Sequence, residues 1–126
     1  MTTESGGPAA AFPGRALLPA IRAGYGVTLI AAPGAVIHLA TGRRPGRREC
    51  RVARLLGARH LVQAAVSACA PRPGVLTAGA GIDALHTASM IMLAAVDRGA
   101  RRAALMDAVA ESLFAAAGFS SAAVPG

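Results

Sequence analysis

The stretch Gly42-Arg43-Arg44-Pro45-Gly46-Arg47-Arg48-Glu49-Cys50-Arg51 separates two long apolar runs, and Asp97-Arg98-Gly99-Ala100-Arg101-Arg102 separates two more. These two short connections hold Arg43, Arg44, Arg47, Arg48, Arg51, Arg98, Arg101 and Arg102, out of 13 basic residues in all. Between them in sequence lies Ala70-Pro71-Arg72-Pro73-Gly74, with a single arginine. Connections alternately rich and poor in arginine are the charge signature of a chain that crosses a bilayer repeatedly, with the basic connections in the cytoplasm. The pattern assigns a location and a threading. It does not assign an activity.

Composition supports the same placement. The 126 residues suffice for one domain. They are 54% hydrophobic and 15% charged, with a mean hydropathy of +0.50. Soluble domains are about one-quarter charged, and a small globule with so little charge would leave its large relative surface poorly covered. The net charge of +7 raises the possibility of nucleic acid. The arginines, however, flank apolar segments rather than line a groove, and with 3% aromatic residues there is no base-stacking platform. No nucleic-acid partner is expected. Cys50 and Cys69 lie 19 positions apart, which on one helix is roughly 28 Å. They cannot pair within the chain, and two cysteines fall short of a zinc site. They read as small apolar packing residues, and no metal is expected.

Four segments emerge. Residues 1–14 are small, polar and rich in Pro and Gly, and are expected to form a disordered tail without the basic-then-apolar pattern of a cleaved signal peptide. Segment one covers Arg15 to Thr41, with Pro33-Gly34 near its middle, where a membrane helix is expected to kink rather than end. Arg22, towards its outer end, is positioned to snorkel to the headgroups. Segment two, Glu49 to Ala70, starts polar and turns apolar from Leu61, so it either spans or lies flat as an amphipathic helix. Segment three, Gly74 to Val96, is interrupted only by Asp83 and His86 and meets the length of about 20 residues that a bilayer requires. Segment four, Arg101 to Ala117, carries Asp107 and Glu111 on one face. Residues 119–126 are expected to be a flexible second tail.

Short connections between four such segments predict an all-α, antiparallel four-helix transmembrane bundle of up-down topology. Residues 15–118 form its single domain, with both termini outside and the arginine-rich loops in the cytoplasm. Abundant Ala, Gly, Ser and Thr suit close approach between membrane helices. No stretch alternates as a strand would.

Ionisable groups inside spans are costly and turn inward. Here they are Arg54, Arg59, His60, Asp83, His86, Asp107 and Glu111. Counting along the threading puts Arg59 and His60, His86 and Glu111 each roughly 14–16 Å from the inner side, with Asp83 one turn farther out. They are therefore expected to meet at one level, Arg59 with Asp83 or Glu111, and His60 or His86 alongside. Two roles follow from such a layer. Mutual neutralisation would fix helix register without chemistry. Alternatively, Arg59, His60, Asp83, His86 and Glu111 would form a ligand- or proton-handling pocket. A haem held axially by His60 and His86 is geometrically conceivable between neighbouring helices, although no cofactor is called for. Thr77-Ala78-Gly79-Ala80-Gly81-Ile82 lacks the third glycine and preceding strand of a dinucleotide site. No serine stands in a nucleophile motif, and no catalytic residue is assigned.

The segments Arg22-Ala23-Gly24-Tyr25-Gly26, Ala32-Pro33-Gly34, Arg54-Leu55-Leu56-Gly57-Ala58-Arg59-His60-Leu61-Val62-Gln63 and Asp83-Ala84-Leu85-His86-Thr87-Ala88-Ser89-Met90 carry a resemblance. The chain, from about residue 20 to 118, resembles small actinobacterial four-helix integral membrane proteins of unknown function. That resemblance implies the fold and the placement, with Arg59, His60, Asp83 and His86 as part of its pattern. It implies no activity. The expected protein is thus a multi-pass component of the bacterial cytoplasmic membrane. It would be a non-enzymatic accessory or scaffold subunit or a self-associating bundle, with the lipid bilayer and a protein partner or a second copy of itself as its surroundings. The alternatives are a small transporter or proton- or ligand-binding membrane protein, and a soluble helical dimer.

Overall fold

The computed structural model describes residues 13–124. Of the tail expected over residues 1–14, all but the last two positions lie outside the described residues. Five α-helices follow one another: α1 (Pro13–Ala31), α2 (Pro33–Thr41), α3 (Arg47–Cys69), α4 (Pro73–Val96) and α5 (Arg101–Ala123). Among the described residues there is no strand.

The helix ends follow from the punctuating residues. Pro33 has no amide hydrogen and its ring opposes continuation of a helix, so Ala32 leaves the helical region at φ −136° and ψ 51°. Pro33 then opens α2, where a missing N–H is harmless. The two helices meet at 98°. The kinked single span expected for segment one is therefore a sharply broken pair. At the far end of α2, Gly42 adopts φ 74°, and its amide donates to the His38 carbonyl at 2.7 Å, the left-handed C-terminal cap that favours glycine. Proline also opens α4, at Pro73. The turn into α5 is held by Asp97, whose Oδ1 accepts the amides of Gly99 at 2.8 Å and Ala100 at 3.1 Å. α5 runs to Ala123, so residues 119–123, assigned above to a flexible tail, are helical. The sequence explains this, since nothing stops the Ala/Gly/Ser run before Pro125.

α1 packs mainly on α3, and α4 on α5, with lesser contacts joining α1 to α5 and α3 to α4. The partners run in opposite directions. Gly26 meets Gly57 while Arg22 reaches Gln63. His86 meets Asp107 while Ala80 meets Gly118. Each helix turns a stripe of small residues inward: Ala53-Gly57-His60-Ala64 on α3, Ala80-Asp83 on α4, and Ala104-Ala108-Glu111-Ala115-Gly118 on α5. The backbones consequently come very close. A Cβ at Gly57 would lie 2.6 Å from the Gly26 carbonyl oxygen, and one at Gly118 would lie 2.9 Å from the Ala80 Cβ.

The outer surface is apolar. Leu39, Leu55, Leu85 and Val96 are 84%, 72%, 71% and 75% exposed. α4 and α5 are long and apolar enough to cross a membrane, and α1 with α2 would make a third crossing if the bent pair counts as one. α3 does not qualify, because it carries Arg47, Arg48, Glu49, Arg51, Arg54 and Arg59.

Two expectations follow. Gly57→Ala and Gly118→Ala should each lower stability by about 1–3 kcal/mol, because the methyl group has no room. Gly81→Ala, with nothing within 4 Å of its added methyl, should be neutral or stabilising by up to about 1 kcal/mol. Thermal unfolding of the purified variants would read the difference, and equal midpoints for all three would refute the close crossings. The second concerns the start of α3, where the Glu49 carboxylate accepts the Gly46 amide at 2.7 Å and pairs with Arg43. Those contacts hold the Glu49 carboxyl down at about 2, against an ordinary 4.5. A depressed carboxyl contributes its stabilisation above 4.5 and loses it as the pH falls toward about 2. The protection of the amides at residues 46–50, taken against the intrinsic exchange rate at each pH, should therefore fall across that window. Glu49→Gln should exchange fast throughout and show no such step.

Candidate functional site: a buried charged layer

His60, Asp83 and Glu111, the largest fully buried side chains, lie in the small-residue stripes of α3, α4 and α5. Ala and Gly on either side let the helices close over them. Arg22 is the matching residue of α1. It occupies the buried stripe Arg22-Gly26-Leu29 and is only 4% exposed. It does not snorkel outward as expected above.

Asp83 is saturated with donors. Arg22 grips it in a two-point contact, Nη2 to Oδ2 at 2.6 Å and Nη1 to Oδ1 at 3.1 Å. Arg59 Nη2 adds a bond to Oδ1 at 2.7 Å, and Gln63 Nε2 another at 3.1 Å. Planar guanidinium against planar carboxylate is the strongest and most directional of the charge-assisted pairs. Gln63 locks the two arginines together, its Oε1 accepting from Arg22 at 3.0 Å and from Arg59 at 3.3 Å. Arg59 Nη2 also reaches Glu111 Oε2 at 2.7 Å, so one arginine bridges α3, α4 and α5.

Glu111 is less well served. Its Oε1 lies 2.7 Å from His60 Nε2 but off the line of a hydrogen bond, and neither that oxygen nor either nitrogen of His60 has a hydrogen-bond partner. The His60 ring is packed edge-on against Tyr25, with centroids 5.0 Å apart, and lies 5.1 Å from Phe114. Phe114 also receives the Arg22 guanidinium at 4.6 Å from its ring centre. Beyond Glu111 on α5, Asp107 Oδ2 lies 2.8 Å from His86 Nε2.

The residues expected to share one level are thus placed as follows. Arg59 stands between Asp83 and Glu111, and His60 stands on Glu111. His86 stands apart from Asp83, on Asp107. Both histidines point Nε2 at a carboxylate, His60 at Glu111 and His86 at Asp107. Arg54 remains outside the layer, donating to the Ile30 carbonyl. Arg22, Gln63 and Asp107 complete the network, and Tyr25 and Phe114 wall it. No family model, curated protein or solved structure matches this chain.

Removing one member of a buried ion pair leaves the other uncompensated, which costs about 3–5 kcal/mol. Asp83→Asn should therefore destabilise the fold by that order, because it strands Arg22 and Arg59 together. The thermal midpoint and the helical circular-dichroism signal would report it, and a variant as stable as the parent would show that Asp83 does not hold the arginines.

Proposed function

We propose that the protein is a multi-pass component of the bacterial cytoplasmic membrane: an antiparallel four-helix, up-down bundle built from α1–α2, α3, α4 and α5. Both termini lie outside and the arginine-rich connections rest on cytoplasmic headgroups. Its role is that of a non-enzymatic accessory or scaffold subunit, or of a bundle that associates with copies of itself. The observation that carries the reading is the inverted distribution of polarity. The largest fully buried side chains among the described residues are His60, Glu111 and Asp83, while leucines and valines face outward from every helix from α1 to α5. Lipid is the solvent in which such an arrangement costs least. The lower apolarity of α3 is consistent with membrane insertion where its charged side faces the other helices, as Arg59 faces α4 and α5.

A second reading is favoured by one specific observation. The unpartnered Glu111 Oε1 and His60 nitrogens are not needed to neutralise anything, since Arg59 already balances Glu111. They support a ligand- or proton-handling role for the same interior.

Extraction of membranes with alkaline carbonate tests the placement. The protein should remain in the membrane pellet and require detergent for release. Release into the supernatant, followed by monodisperse behaviour without detergent, would instead establish the soluble helical dimer.

A further inference from the structure

Arg22 and Arg59 face Asp83 and Glu111, and the third carboxylate of the interior, Asp107, meets His86 Nε2 at 2.8 Å. The unsatisfied atoms lie on Glu111 and on the histidine beside it. Glu111 Oε1 and the His60 nitrogens are fully buried without hydrogen-bond partners. A native interior seldom keeps such atoms, since each costs about 1–3 kcal/mol. His60 Nε2 and Glu111 Oε1 approach to 2.7 Å without bonding, an arrangement that a shared cation would relieve. One ligand atom each from His86, Asp107 and Glu111 lies within 4.8 Å of the other two.

We infer that His86, Asp107 and Glu111, with His60 beside Glu111, form a binding site for a divalent transition-metal ion. The inference deepens the ligand-binding reading above and rests on it. The donor set selects the class of ion. Calcium and magnesium take oxygen ligands, whereas a set with imidazole nitrogens beside carboxylates suits zinc and its first-row neighbours. Glu111 is oriented for the task. Arg59 holds Oε2 at 2.7 Å, and this leaves Oε1 turned towards His60, the kind of outer support that fixes a ligating carboxylate. Tyr25 and Phe114 fix the His60 ring in the same way. The ligand atoms must draw in to about 3.4 Å, the separation expected around an ion bonded at about 2.1 Å. Carboxylate and imidazole rotation supplies that movement. His86 and Asp107, with side chains 26% and 18% exposed, form the way in. The divalent charge meets Asp107 and the otherwise idle Oε1 of Glu111.

The test uses the full chain, free of any affinity tag, purified in detergent and carrying Cys50→Ser and Cys69→Ser so that no thiolate competes. Cobalt(II) alone is titrated and followed by its visible absorption, and zinc is then added as competitor. One cobalt per chain is expected, displaced by zinc. His86→Ala and Asp107→Asn, at the more exposed side of the site, should each weaken binding at least tenfold with helical content unchanged, and His60→Ala should weaken it as well. The inference is overturned if the parent shows no saturable cobalt absorption, or if His86→Ala and Asp107→Asn bind as the parent does. Carbonate extraction is read separately on the same chain. A missing metal would therefore remove the site and leave the membrane placement standing, whereas release by carbonate would remove the placement and leave the site.

Discussion

A carboxylate can be ionised in an apolar interior only if a cation stands against it, and that requirement organises this molecule. Asp83 sits at the centre of α4 with no solvent exposure, and it is reached by guanidinium groups from α1 and α3 and by an amide from α3. Each contact fixes the rotation and the height of the helix that supplies it. Arg59 carries the same constraint onward to α5 through Glu111. Four helices are thus registered by a handful of bonds. Leucine packing contributes little here, because among the described residues Leu29 and Leu76 are the only buried leucines, and the other buried apolar side chains are alanines and Phe114.

The small residues are the other half of the same arrangement. In lipid the hydrophobic effect gives helices no reason to associate, so close packing and interhelical polar bonds must do it. Alanine and glycine at every third or fourth position bring the backbones together at Gly26–Gly57 and Ala80–Gly118. That closeness shortens the span across which Arg22 and Arg59 must reach. A leucine-lined interface would hold the helices farther apart and leave the charges unmet. Small stripes and buried charges are therefore mutually dependent: the stripes permit the pairs, and the pairs justify the stripes.

The sequence carries much of this, though unevenly. Apolar runs, their lengths and the arginine-rich connections are local features, and they give helices with nearly the right bounds for α3, α4 and the start of α5. The start at Pro73 is legible for the same reason, whereas Pro33 marks an interruption but not its size: a kink is expected there and the helix breaks, since a proline permits anything from a mild kink to a right-angled turn. Depth along a helix can be counted, which is why Arg59, His60, His86 and Glu111, with Asp83 one turn farther out, are expected to meet at one level. Rotation about the helix axis is harder to count, and there the reading of Arg22 fails. Its place near the outer end suggests snorkelling, yet it belongs to the stripe that continues through Gly26 and Leu29. A spacing of three and four among small residues, with one charged residue included, marks the buried face on all four helices, and it would have identified Arg22. The pairing of His86 with Asp107 rather than with the Asp83 cluster depends on the relative height of α4 and α5, which the antiparallel contacts decide and no local pattern encodes.

The two ends of the charged layer differ in a way that bears on function. Asp83 accepts four hydrogen bonds, and a site so fully satisfied has no capacity left for a ligand. It is an anchor. Glu111 shares the same arginine but keeps one oxygen unserved, and that oxygen faces His60. An interior serving register alone would gain from an apolar residue at position 60 or from a donor aimed at Glu111 Oε1, since either change would relieve the orphaned atoms. Keeping a buried imidazole and a half-satisfied carboxylate side by side is costly in any solvent, and most costly in one that supplies no water. Such a cost is retained where the atoms have something to bind. The anchor at Asp83 supplies the rigidity to hold them open: with Arg59 fixed by Asp83 on one side, Glu111 cannot collapse towards the arginines, and its free oxygen stays turned to His60.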